Sequence, residues 1–168
     1  SELSDRETHM LPSYTMSFDG ALLQRGFWLY IWDIRGPKGR YLYVGRTGNN
    51  SSAKAFSPFC RIGQHLDFSD DAKTYAMARK LIELKVSPSE CTFEMTAIGP
   101  LFAEVQNWEK HQSLRDRTAG LEKAIAVTLN GRGYTVLGSH AEQSELDMKL
   151  FSEILVVLDR KFPLVQLP

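Results

Sequence analysis

What this chain lacks narrows it first. Its only two cysteines, Cys60 and Cys91, are far apart, and neither has a second cysteine or a histidine at zinc-ligand spacing. A disulfide framework and a structural zinc site are therefore not expected; two free, buried thiols in a reducing cytoplasm are. No apolar run approaches the roughly twenty residues that span a bilayer, and no signal-peptide pattern opens the chain, so no membrane partner is expected. There is no internal repeat and no low-complexity tract. Net charge is also missing, with 20 basic residues against 20 acidic ones, which on its own argues against a nucleic-acid binder. What remains, 168 residues at 43% hydrophobic and 24% charged, is enough for one globular domain with a real core.

The neutral total conceals an uneven distribution. Residues 1–24 hold four acids and one base, whereas residues 25–61 hold seven bases and one acid, Asp33. A local excess of +6 is the kind of field that attracts a phosphate backbone. Compensating acids elsewhere in space would turn the same stretch into an ordinary solvated face.

"FWLYIWDI" (27–34) is rich in aromatic and β-branched residues and predicts a buried strand. "RGPKG" is a turn, and "RYLYVG" (40–45) the returning strand of a hairpin. After a polar loop (46–57), Ser57 is a good N-cap with Pro58 at the first helical position. Phe59, Ile62 and Leu66 follow at helical spacing and are expected to face the core. A second helix is expected after Asp70 or Asp71, with Tyr75, Ala78, Leu81, Ile82 and Val86 as its buried stripe and Pro88 as its stop. "CTFEMTAIG" (91–99) alternates as a third strand. Residues 101–113 are helix-like up to the polar "RDRTAG". Thr118 is expected to cap another helix, whose apolar face holds Leu121, Ile125 and Leu129 and which closes at Gly131. "YTVLG" is a short extended segment, and a last helix is expected from about Glu142 to Lys161, with Leu146, Leu150, Ile154 and Leu158 near one face. Residues 1–25 read as an N-terminal arm. The order implies an α+β fold: a small, mainly antiparallel sheet, hairpin plus third strand, flanked by helices.

Arg61 and His65 are four apart on the first predicted helix and share a side, expected to point away from Phe59, Ile62 and Leu66; Gln64 lies beside them. A basic pair near a hairpin bearing Tyr30 and Tyr43 could hold a phosphate and relay a proton. A phenol with a pKa near 10 is only roughly 0.3% ionised at pH 7.5, so a general-base tyrosine needs such help. Glu122 sits one step from the apolar stripe, where a carboxylate at the sheet rim could bind a hard divalent cation. Each residue alone also has an ordinary reading: packing tyrosines, a surface histidine, and a glutamate favoured by the dipole of a first helical turn.

Taken in order, Trp28-Leu29-Tyr30, Tyr43-Val44-Gly45, Arg61-Ile62-Gly63-Gln64-His65 and Leu121-Glu122 resemble the GIY-YIG nuclease superfamily, in the style of its stand-alone or restriction members. The resemblance covers about residues 26–138 as a nuclease core, leaving 139–168 as a C-terminal helix packed on it. The first motif reads WLY rather than GIY. "GYTVLG" (133–138) resembles a tract where many members have Tyr-Asn; Thr135 replaces the Asn, with Asn130 and Ser139 nearby. The resemblance implies a metal-dependent DNA endonuclease in which Glu122 holds one Mg²⁺ or Mn²⁺ and Arg61 neutralises transition-state charge. It also implies that Tyr30 takes a proton from the attacking water and passes it toward His65, with Tyr43 in support. Arg40, Arg46, Lys54 and Gln64 are the expected nucleic-acid contacts. Two alternatives stay open: an inactive nucleic-acid-binding module of the same fold, and an interaction domain whose tyrosines are core.

Overall fold

The structure, a computed structural model, describes residues 11–67, 76–138, 140 and 145–166. Four strands form one mixed sheet in the order β3-β1-β2-β4. The first two, β1 (Phe27–Gly36) and β2 (Gly39–Arg46), are the expected hairpin. On its other side β1 pairs antiparallel with β3 (Thr92–Phe102). The two-residue β4 (Val136–Leu137) is the exception, running parallel to β2.

Being central, β1 is covered on both faces, and its residues 27–34 are all buried. Its alternation sorts them into two cores. Leu29 and Ile31, with Leu42 and Val44, pack against Leu121, Ile125, Leu129, Ile154 and Leu158. These come from α3 (Trp108–Gly131) and α4 (Met148–Lys161). On the opposite face Tyr30, Trp32 and Ile34, with Tyr41 and Tyr43, meet Ile62, Leu66, Met77 and Leu81. These belong to α1 (Pro58–Leu66) and α2 (Ala76–Glu83).

Local chemistry explains the ends. The Ser57 side chain caps α1 by accepting from the Cys60 amide, and Pro58 supplies the first turn, as expected. Thr47, fully buried, accepts from the Trp28 amide at 2.9 Å and donates to the Gly26 carbonyl at 2.6 Å, so the loop after β2 begins clamped to β1.

Several expectations are corrected. The predicted helices 101–113 and 118–131 are one: β3 continues to Phe102, and α3 starts at Trp108, capped by Asn107. Thr118 is no cap; inside the helix its hydroxyl donates to the Leu114 carbonyl four residues back, at 2.7 Å. Ile82 is 59% exposed, because α2 buries Met77, Ala78 and Leu81 and Ile82 falls one step past that stripe. Val86 is buried, but beyond the helix end. The last helix begins at Met148, capped by Asp147, and Leu146 packs on the core from outside it. Cys60 is exposed and Cys91 half-buried, not the buried pair expected. The expected start of the second helix at Asp70 or Asp71, Tyr75, Glu142 and Ser139 lie outside the described residues.

Candidate active site

The register of the hairpin decides where the tyrosines stand. Tyr30 pairs with Gly45 and Tyr43 with Trp32, so the two phenols are diagonal neighbours on one face. Glycine at 45 is what permits this: a Cβ there would lie 2.4 Å from Tyr30 Cε2. The Tyr30 ring uses that space and turns its hydroxyl toward α1.

His65 meets it there. The sequence reading pointed His65 and Arg61 away from the packed side of α1; instead His65 is among the most buried residues of that helix, 6% exposed. Its ring packs between the tyrosines, with centroids 5.3 Å from Tyr30 and 5.4 Å from Tyr43. Phe59, the first of the presumed core residues, instead packs on Phe18 of the N-terminal segment at 4.6 Å. Tyr30 Oη lies 2.5 Å from His65 Nε2 and 3.4 Å from the Arg46 carbonyl. Burial pushes the Tyr30 phenol well above its ordinary value. Burial, then the Arg61 charge, pulls His65 down to about 4. Both are neutral at pH 7, and the phenol proton goes to the nearer acceptor, His65 Nε2. His65 Nδ1 is buried without a hydrogen-bond partner.

Glu122 reaches the same place from the other layer. β4 stops at Leu137 and the chain turns at Gly138 (φ +83°), so among the described residues no strand covers β2 past Tyr43 on this side. His140 occupies part of that gap, its Nε2–H donating to the Val44 carbonyl at 3.1 Å. Glu122 Oε2 is 3.5 Å from Arg46 Nε, and Oε1 is 3.9 Å from His140 Nε2. Burial raises the carboxyl pKa, and the charges of Arg46, His140 and Arg61 oppose that rise. Burial, followed by the Glu122 charge, raises the Tyr43 phenol.

These side chains surround a single cavity of about 320 Å³ lined by Tyr30, Tyr43, Arg46, Arg61, His65 and Glu122 among others. Asn49, Lys80 and His140 also line it, and sequence reasoning missed all three. Lys80 had a faint signal: it follows Ala76, another lining residue, by four, one step off the buried stripe of α2. Three cations, Arg46, Arg61 and Lys80, face one carboxylate. Arg46 Nε and Nη1 and Arg61 Nε are buried with no hydrogen-bond partner among the described residues. Unsatisfied guanidinium donors in a cationic cavity suit an incoming oxyanion.

The remaining expected contacts lie apart. Arg40 is bound to Asp33 by two hydrogen bonds, at 2.9 and 2.8 Å, and does not line the cavity. Lys54 is exposed and also outside it. Gln64 accepts from Arg61 Nη1 at 2.7 Å, on the exposed side of α1.

Among the described residues Glu122 is the only carboxylate lining the cavity, and no group of three or more His, Cys, Asp or Glu among them could hold a metal ion. The donor set therefore fits a hard cation bound through one protein oxygen, with water and phosphate oxygens completing its coordination. No helix among the described residues is long and apolar enough to cross a membrane. Compared with protein-family models, curated proteins and solved structures, the chain matches none.

Proposed function

We propose that this protein is a metal-dependent DNA endonuclease of the GIY-YIG type, hydrolysing a phosphodiester held in the cavity. One observation carries the reading: side chains of β1, β2, α1 and α3, namely Tyr30, Tyr43, Arg61, His65 and Glu122, line one cationic cavity. Packing alone does not explain unsatisfied arginine donors around two tyrosines and a buried histidine.

The chemistry follows from their states. A water oxygen forms a bond to phosphorus and the opposite P–O ester bond breaks. The water's proton passes to Tyr30 Oη as the phenol's own proton moves to His65 Nε2, the acceptor it already touches. No free phenolate is then needed, which matters because burial disfavours one. A bound phosphodiester also offsets the Arg61 charge that holds His65 down, making the imidazole a better base when substrate is present. Arg61 neutralises the charge growing on the phosphate oxygens, and Tyr43 supports the proton path from below the His65 ring. Glu122 would hold Mg²⁺ or Mn²⁺, which when bound would supply positive charge to offset the negative charge that develops in the reaction. The leaving alkoxide takes its proton from solvent.

A second reading, an inactive nucleic-acid-binding module, is favoured by the Arg46–Glu122 ion pair at 3.5 Å, which occupies the carboxylate a cation would need. Nicking of supercoiled plasmid with and without Mg²⁺, with Glu122→Ala as control, separates the two. Mg²⁺-dependent nicking that disappears in the variant is expected; DNA binding without nicking would leave only the module.

A further inference from the structure

Beside the cavity lies a second, smaller groove of about 180 Å³, lined by Lys123, Ala126, Val127, Asn130, Val136, Gly138 and His140. Gly138 and His140 line both, so the two hollows are neighbours. The groove plays no part in the chemistry above. Its floor is apolar, and Val127 on it is 58% exposed, an uncovered aliphatic side chain on the outer side of α3. At one side Lys123 Nζ donates a 3.3 Å hydrogen bond to the His140 carbonyl. An ammonium has three donors, and among the described residues Lys123 has no carboxylate partner. The Asn130 side chain, exposed, makes no hydrogen bond among the described residues and offers both a donor and an acceptor.

Resting on the endonuclease reading, we infer that this groove receives the nucleotide next to the scissile phosphate, with Lys123 on its phosphate and Asn130 at the base edge. A cation, an amide and an aliphatic surface are the three chemistries that one nucleotide presents partners for: phosphate, base edge, and sugar or base face. Glu122 lines the cavity and Lys123 the groove beside it, so a strand that passes from one hollow to the other meets Lys123. The path turns at His140, whose imidazole faces one hollow while its carbonyl is held from the other.

The test uses the full chain in EDTA and a fluorescent, mixed-sequence single-stranded oligodeoxynucleotide, with anisotropy read across a salt series. Lys123→Ala should weaken binding on the order of tenfold and reduce the salt slope by about 0.7, the loss of one single-strand phosphate contact. Val127→Glu, at an exposed site that does not line the cavity, should weaken binding as strongly. With Mg²⁺ in place of EDTA, cleavage of bis(p-nitrophenyl) phosphate, a phosphodiester with no flanking nucleotide, should be unchanged in Val127→Glu. If both variants bind the oligonucleotide as the wild type does, the groove is not on the path. If Lys123→Ala slows small-phosphodiester cleavage with an unchanged salt slope, Lys123 merely pins His140, and the inference fails. A wild type that neither binds the oligonucleotide nor cleaves either substrate fails earlier, at the endonuclease reading itself.

Discussion

The ring of Tyr30 lies over its cross-strand partner Gly45 so closely that one added methyl group would sit 2.4 Å from Cε2 and 2.6 Å from Oη. The glycine and the phenol are therefore one unit: the position of the hydroxyl requires the missing side chain. Gly45→Ala should destabilise the protein by on the order of 3 kcal/mol, the upper end for overpacking, because a fully buried ring has nowhere to go. The same change in a Tyr30→Leu background should cost much less. Urea midpoints of the four proteins in the cycle measure the coupling; additive effects would show that the ring is displaced without strain.

Stability should depend on pH through His65. Its pKa falls from 6.5 to about 4 on folding, chiefly through burial, so between those values the folded state holds fewer protons than the unfolded one. The stability present above pH 6.5 is then lost as pH falls through the window, by on the order of 3 kcal/mol once it is crossed. His65→Gln should flatten this part of the curve. Thermal melts from pH 7 down to pH 4 provide the comparison, and parallel curves for the two proteins would mean that His65 is not the titrating group.

Cleavage and binding should separate by residue. Tyr30→Phe should lower the cleavage rate by roughly 10²–10⁴ with affinity unchanged, as for loss of a proton-transfer group. Glu122→Ala should abolish Mg²⁺-dependent cleavage yet strengthen metal-free DNA binding slightly, since Arg46 then loses its ion-pair partner. Arg61→Ala should weaken both. A Glu122→Ala protein that cuts at the wild-type rate would remove the carboxylate from the mechanism.

Salt dependence should follow the cavity, not the basic stretch as a whole. Lys80 lines the cavity, and its one ion pair among the described residues, to Glu83 at 3.4 Å, is between solvent-exposed groups and weak. Lys80→Ala should reduce the log–log salt slope of duplex binding by about 0.9. Lys54→Ala, outside the cavity, and Arg40→Ala, whose guanidinium is bound to Asp33, should leave it nearly unchanged. The reverse ranking would put the DNA on another face.

The legible parts of this structure are those where local chemistry and long-range packing agree. The hairpin and the Ser57–Pro58 start of α1 carry their signals within a few residues. Tyr30, Tyr43, Arg61, His65 and Glu122 were singled out through ordered motifs, but the burial of His65 was not, because a histidine in the last turn of a helix reads as polar until Tyr30 is set against it. The "RDRTAG" stretch looked like a break, yet Thr118 satisfies its hydroxyl on the helix backbone and Gly120 is buried within α3. His140 was invisible for another reason: it follows a positive-φ glycine and a two-residue parallel strand, and nothing local specifies that it returns to the Val44 carbonyl. Arg40 read as a DNA contact from its charge alone, and nothing in the sequence signalled that this charge pairs with a buried aspartate of the same hairpin.

The two-faced covering of β1 also has a meaning for a chain still being made. Tyr30, Tyr43, Arg61 and His65 all leave the ribosome before the carboxylate, which belongs to the helix that closes the opposite side of the sheet. Under the proposed chemistry, a nascent or prematurely ended chain carries the cations and the phenols but has no group to hold the metal. The ability to cut then waits until α3 emerges and docks against the sheet.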